Sequence, residues 1–257
     1  MKLKSKLLLA LLATSSAAFA QTAPAAPEVT YNVGVVSQYR YRGIAQSKGL
    51  PALQGGVDYA NANGAYLGAW ASTIKWIKDT NITGGSTTYS GNTELDLYGG
   101  YKFEAAGLGL DVGALRYQYL GNTLGNDGTW KNANTNEVYV AATADVYTFK
   151  WSYALSPLFG TPNTKGSDYF DLTANYDMGN GITLTPHIGR AKIQGYVVGT
   201  TATSYNDLSL TATKDLGDGL SASAGYILTS AKSAGFNSGS NYATGKNAFV
   251  FGIKQSF

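Results

Sequence analysis

The chain has 257 residues and a formal charge of +3, and the whole surplus sits in Lys2, Lys4 and Lys6 at the start. The remainder is neutral, which removes the basic surplus that a nucleic-acid partner requires. Cysteine is absent, so neither a disulfide framework nor a thiolate metal site can form.

Glycine (32) and tyrosine (19) are abundant, yet overall hydropathy is close to neutral. A helical membrane protein is far more apolar, whereas a β-barrel needs an apolar group only at every second position.

Residues 1–20 carry a basic start, an apolar core from Leu7 to Ala13, and Ala18-Phe19-Ala20 as a small-x-small cleavage site. This pattern predicts a secretion signal. The apolar run falls short of the roughly 20 residues of a transmembrane helix; a retained helical anchor is the competing reading. Residues 21–28 are Ala/Pro-rich and read as a flexible lead-in. Residues 29–257 show no linker or shift in composition and are read as one domain.

Twelve β-rich segments follow: Val29–Tyr41, Pro51–Ala60, Ala65–Trp76, Asn92–Phe103, Leu108–Leu120, Glu137–Asp145, Tyr147–Ser156, Asp168–Met178, Gly181–Ile193, Ser204–Lys214, Leu220–Thr229 and Asn247–Phe257. The sixth and seventh are split at Asp145-Val146. There the large residues change parity, from Val138, Val140 and Ala142 to Tyr147, Phe149, Trp151 and Tyr153. Connections after even segments are short, and three of the five carry an Asn-Gly or Asp-Gly pair, which tolerates positive φ. Those after odd segments are long. This alternation predicts an all-β fold: a transmembrane antiparallel up-and-down β-barrel of about 12 strands. Short turns and both termini would then face the periplasm. Ten residues at about 3.3 Å, tilted near 40°, rise roughly 25 Å, the height of the apolar band.

Parity assigns the faces. The last segment puts Phe249, Phe251, Ile253 and Phe257 towards lipid. The fourth puts Leu95, Leu97, Tyr101 and Phe103 out, with Glu94, Asp96, Tyr98 and Lys102 in. The third does not resolve. The fifth switches parity near Gly113 to Leu115, which a bulge would accommodate.

The lumen is the candidate site. Parity points Gln38, Arg40 and Arg42 inward, against Glu94, Asp96, Glu137, Asp171 and Asp207. Asp58 joins the acidic side, and Arg116 the basic side if the switch is real. Opposed charges in a narrow wet pore select polar solutes by size and charge. The competing reading is that these charges pair and plug the barrel.

His187 shares parity with Thr183 and Thr185 and should also face inward, with Asp171 on the neighbouring segment. A Ser-His-acid hydrolase needs that imidazole beside a serine. A lone His builds no His-based metal site. The Asp215–Gly219 run lacks the spacing and terminal Glu of a calcium loop and reads as a hairpin. Asn81-Ile82-Thr83 matches a glycosylation triplet, which is uninformative in a bacterial setting. No cofactor is implied.

A family resemblance rests on the stretch from Ser37-Gln38-Tyr39-Arg40-Tyr41-Arg42-Gly43 through Pro51-Ala52-Leu53-Gln54-Gly55-Gly56-Val57-Asp58-Tyr59. Tyr66-Leu67-Gly68-Ala69-Trp70-Ala71-Ser72 and Glu94-Leu95-Asp96-Leu97-Tyr98 extend it. Together they resemble the TorF-type porins of proteobacteria, a group also known as a conserved protein of unknown function (Gcw_chp). Leu120 follows Tyr117-Gln118-Tyr119 where that family's pattern calls for Pro. The resemblance spans essentially the mature chain and implies an outer-membrane barrel, without a substrate or catalytic residues.

The expected function is that of a porin in the outer membrane of a Gram-negative bacterium. It would contact membrane lipid and pass small polar solutes or ions, as a monomer or a homo-oligomer. The Arg42-Gly43-Ile44 turn, with Gln46 and Pro51, is expected to fold the first loop into the pore mouth. The alternatives are a closed adhesion barrel that binds a partner through loops 77–91, 121–136 and 230–246, then an outer-membrane hydrolase, and last a soluble periplasmic β-sandwich.

Overall fold

The structure, a computed structural model, describes residues 26–80, 88–126, 128–195, 197–198, 201–202, 204–231 and 244–257. The expected signal, most of the lead-in, the Asn81-Ile82-Thr83 triplet and the middle of loop 230–246 lie outside the described residues.

Twelve antiparallel strands form one closed wall. They are β1 (Glu28–Val36), β2 (Ala52–Ala60), β3 (Ala65–Thr73), β4 (Thr93–Ala105), β5 (Leu108–Leu120) and β6 (Thr135–Ala144). After these come β7 (Tyr147–Ala154), β8 (Asp168–Ala174, resumed over Tyr176–Asp177), β9 (Ile182–Lys192), β10 (Tyr205–Gly217), β11 (Leu220–Thr229) and β12 (Ala248–Ser256). Every strand pairs with its neighbours in sequence, and β1 pairs β12 from Asn32↔Ser256 to Val36↔Gly252. Closure leaves no unpaired edge in a tyrosine-rich antiparallel sheet. No described helix is long and apolar enough to cross a membrane.

Turn chemistry sets the two ends. Ala106-Gly107 and Asp218-Gly219 hold both central residues at positive φ, 52° and 76° in the first and 49° and 82° in the second. That is the type I′ arrangement, whose twist matches the strands it joins. Asp145, at φ 52°, turns β6 into β7 where the change of parity predicts. All short turns and both ends of the wall lie on one side, called here the turn end. All long connections lie on the other, the loop end.

The wall is apolar outside and mixed inside. Phe249, Phe251, Ile253, Leu53, Leu67, Leu97, Val112 and Phe149 are all exposed on the outer face. The third strand now resolves. Leu67 faces out, while Tyr66 bonds Asp111 and Trp70 packs against the interior cluster. The fifth strand differs from expectation. Its register with β4 runs unbroken from Thr93↔Leu120 to Ala105↔Leu108, with no bulge. Asp111, Leu115, Tyr117 and Tyr119 are all buried on the inner face. Leu115 points inward because the segment inside the loop half offers it an apolar surface of Tyr39, Tyr41 and Tyr117.

The first strand also ends earlier than its pattern predicts, at Val36 rather than Tyr41. Residues 37–51 leave the wall and turn into the barrel.

Inside, large tyrosines cross the lumen wall above glycines. Gly68 pairs with Tyr98, Gly100 with Tyr66, and Gly113 with Tyr139. A methyl group on Gly68 would lie 2.5 Å from the Tyr98 ring. These glycines weaken their own strands, but they give the facing rings room to lie along the wall.

Candidate functional site

The site is the lumen together with the segment that plugs its loop half. Ser37 anchors the root of that segment on β12: its N–H donates to the Phe251 carbonyl at 2.8 Å, and the Phe251 N–H donates to Ser37 Oγ at 3.0 Å. Arg40-Tyr41 then pairs with Ile44-Ala45 in a miniature hairpin turned by Arg42 and Gly43, at φ 46° and 77°. Gly43 is required here. A Cβ would fall 2.7 Å from Asp207 Cβ and 3.1 Å from Thr229, so the tip presses on β10 and β11, the strands next to its anchor on β12.

Side chains tie this plug to the wall. Tyr39 donates to Glu94 Oε1 at 2.7 Å, and the Tyr41 and Tyr117 hydroxyls meet at 2.6 Å. Arg42 forms a two-pronged pair with Glu137, at 3.0 and 2.8 Å. The two side chains are 6% and 3% exposed. The Arg42 guanidinium also lies over the Tyr41 and Tyr169 rings, 4.8 and 4.4 Å from their centres. A planar, weakly hydrated cation suits this bidentate and stacked setting better than an ammonium would. Tyr39, Tyr41, Tyr117 and Tyr119 then pack with Ile77, Leu124 and Phe159 into the main apolar cluster.

The second loop fastens the plug from above. The N–H groups of Lys75 and Trp76 both donate to the Gln46 carbonyl, at 2.8 and 3.1 Å, at the start of the short helix α1 (Trp76–Asp79).

The turn half of the lumen is polar. Tyr98 bonds Asp58, and Tyr66 bonds both Asp111 and Tyr139. Lys102 and Lys150 sit over the Tyr66 and Tyr139 rings, at 5.0 and 4.0 Å. Desolvated cation–π contacts of this kind hold a charge in place without neutralising it.

A third cluster joins β8, β9 and β10. His187 Nε2 donates to Asp171 Oδ2 at 2.9 Å, and its Nδ1 lies 3.5 Å from Asp207 Oδ1. Tyr169 donates to Asp207 at 3.1 Å. Both imidazole nitrogens therefore face carboxylates.

The expected lumen residues fall into distinct settings. Arg42 meets Glu137, Glu94 meets the plug through Tyr39, and Asp171, His187 and Asp207 form one group. Asp58 faces inward on β2. Asp96 is buried beside them with its Oδ1 unpartnered. Arg40 bonds backbone carbonyls. Its guanidinium donates to the carbonyls of Gly43, Thr244 and Lys246 and to Gln38, so it clasps the sixth loop. Gln38 itself bonds the Phe249 carbonyl at 3.0 Å. Arg116 is a correction. It stands on the outer face near the loop end, bonded to Gln118 and Asn136, because β5 keeps its parity throughout.

Sequence reasoning missed Lys150, Asp111 and the plug tyrosines as lumen groups. For Lys150 the signal was present, since it alternates with the outward Phe149 and Trp151.

Comparison with known proteins follows the same outline. The family described as "Bacterial protein of unknown function (Gcw_chp)" matches residues 20–257. The chain belongs to the Gcw_chp family. Among curated proteins none matches this Gcw_chp member. Two solved porins share its fold. One is the KdgM porin in complex with disordered oligogalacturonate, with a TM-score of 0.51 and 8% identity, covering 89% of this chain and 98% of that one. The other is the NanC porin, with a TM-score of 0.52 and 12% identity, covering 90% and 99%. At these identities the likeness concerns the fold.

Proposed function

We propose that the chain is an outer-membrane channel that passes small polar solutes or ions by passive diffusion. Residues 1–20 would be its cleaved signal, the turn end would face the periplasm and the long loops the outside. One observation carries the reading. Charged and hydroxyl-bearing side chains line the turn half of a closed wall whose outer face is apolar, and a tethered hairpin narrows the other half. The Arg42–Glu137 pair and Glu94 would then form the constriction, with Lys150 and Asp111 beneath it. The fold shared with two porins supports the same reading. The opposition of His187 to two carboxylates supports a structural role for it rather than hydrolysis.

The test is single-channel recording in a planar bilayer under asymmetric salt. Discrete steps with a measurable reversal potential are expected, and deletion of Gln46 to Leu50 should change their size. A folded barrel that stays silent would sink the channel. It would favour the closed barrel that binds a partner through its loops, a reading favoured by the complete burial of Tyr39, Ile77 and Ala133 around the plug.

A further inference from the structure

On the loop side of Arg42, between the plug and the long connections, lies a cavity of about 190 Å³. Tyr41, Trp76, Trp130 and Phe159 give it aromatic walls, and Leu124 and Ile193 add aliphatic ones. Two physical features define what would fit.

The first is size and surface. An apolar cavity of roughly 150 Å³ holds one benzene ring. This one holds a single ring with a small substituent, against walls that are apolar on most sides.

The second is unmet polarity. Arg42 Nε, Trp76 Nε1 and Trp130 Nε1 are buried N–H donors without an acceptor, all on residues of this wall. A buried donor left unpaired keeps its full desolvation penalty, so a ligand oxygen accepting from it is favoured. Charge argues for a neutral ligand. Arg42 is already matched by Glu137, and the one other charged residue of the wall, Asp168, has a buried Oδ1 without a donor, which opposes an anion and favours a ligand group that also donates a hydrogen bond. A sugar ring, with a hydroxyl on nearly every carbon, suits a mostly apolar wall less well than an aromatic ring does.

We propose that this cavity binds a neutral monocyclic aromatic solute carrying a hydroxyl or carbonyl oxygen, of the size of phenol or benzamide. Its ring lies among the aromatic walls, and its oxygen accepts from the unpaired N–H groups. As the resting place of a transported solute, the site rests on the channel reading; as a binding site it does not.

The test is a ¹⁹F NMR titration of 4-fluorophenol against the full chain in lipid nanodiscs, with empty discs as the baseline. Saturable broadening is expected, with displacement by benzamide and none by glucose. Ala191→Leu and Ala45→Leu each fill the cavity from a buried wall position, and each should weaken apparent affinity by about tenfold or more. Heat-modifiable gel mobility shows that each variant has folded. Absence of a saturable component in the wild-type chain, unchanged binding in both folded variants, or displacement by glucose would overturn the proposal. Conductance of the same preparations separates the two readings. Binding in a silent barrel sinks only the channel, and conducting steps without binding sink only this site.

Discussion

Arg42 and Glu137 stand 95 residues apart in sequence and meet through two hydrogen bonds inside the barrel. The pair joins the tip of a loop to the wall of β6, so the plug is held by a contact that local sequence does not announce. Removing one partner leaves the other charge buried and alone, which costs about 3–5 kcal/mol. Glu137→Gln should therefore lower stability in a urea titration of the refolded barrel and raise single-channel conductance as the plug loosens. The double variant Arg42→Met/Glu137→Leu should be less destabilised than either single one, and a double-mutant cycle reads that difference. A cycle with no coupling would show that the pair does not hold the plug.

Gly113 faces Tyr139 across β5 and β6, and a methyl group there would fall 2.7 Å from the Gly99 carbonyl as well as against the phenol. Gly113→Ala should destabilise the barrel by about 1–3 kcal/mol through overpacking. Adding Tyr139→Leu should restore part of the loss. Equal stability of Gly113→Ala and wild type, measured by the same urea titration, would show that the wall gives way without cost.

Lys150 and Arg116 are both basic wall residues, yet they face opposite media. Lys150 is buried over the Tyr139 ring, while Arg116 is bonded to Gln118 and Asn136 outside. Replacing a lumen cation changes the field on a passing ion. Lys150→Gln should move the reversal potential towards cation preference, and Arg116→Gln should leave it in place. The opposite ranking would place Arg116 in the ion path.

Leu97 lies near the middle of β4 and is 45% exposed on the outer face. If that face meets hydrocarbon, Leu97→Arg should cost about 2–4 kcal/mol in lipid vesicles. In a water-facing sheet the same change would be close to neutral, so the unfolding free energy in vesicles decides between the two media.

The wall was legible in the sequence because its signals are local. Asp-Gly corners, alternating parity and the contrast of short and long connections place β6, β7, β11 and β12 to within a few residues. The plug was only half legible. Ser37 to Tyr41 continues the alternation of β1, so nothing in the pattern marks Val36 as the end of the strand; the bend depends on Ser37 meeting Phe251 from the far end of the chain. Arg40 alternates like Arg42 but ends on backbone carbonyls of the sixth loop, a partner that periodicity cannot supply. Leu115 misled the reading of β5 because an inward leucine looks like a change of face when the lumen is taken to be wet. Arg116 followed it into error.

The seam between β1 and β12 also constrains how the molecule is made. Its pairs run from Asn32↔Ser256 to Val36↔Gly252, so the first strand to emerge waits for the final one. Until Ala248–Ser256 arrives, both rims of the growing sheet are unpaired and open to pairing with other chains. A contact of such sequence separation also closes slowly. Assembly therefore ends in a single zipping event, and the nine residues of β12 act as the latch: a chain lacking them would retain most of its hairpins and have nothing to shut.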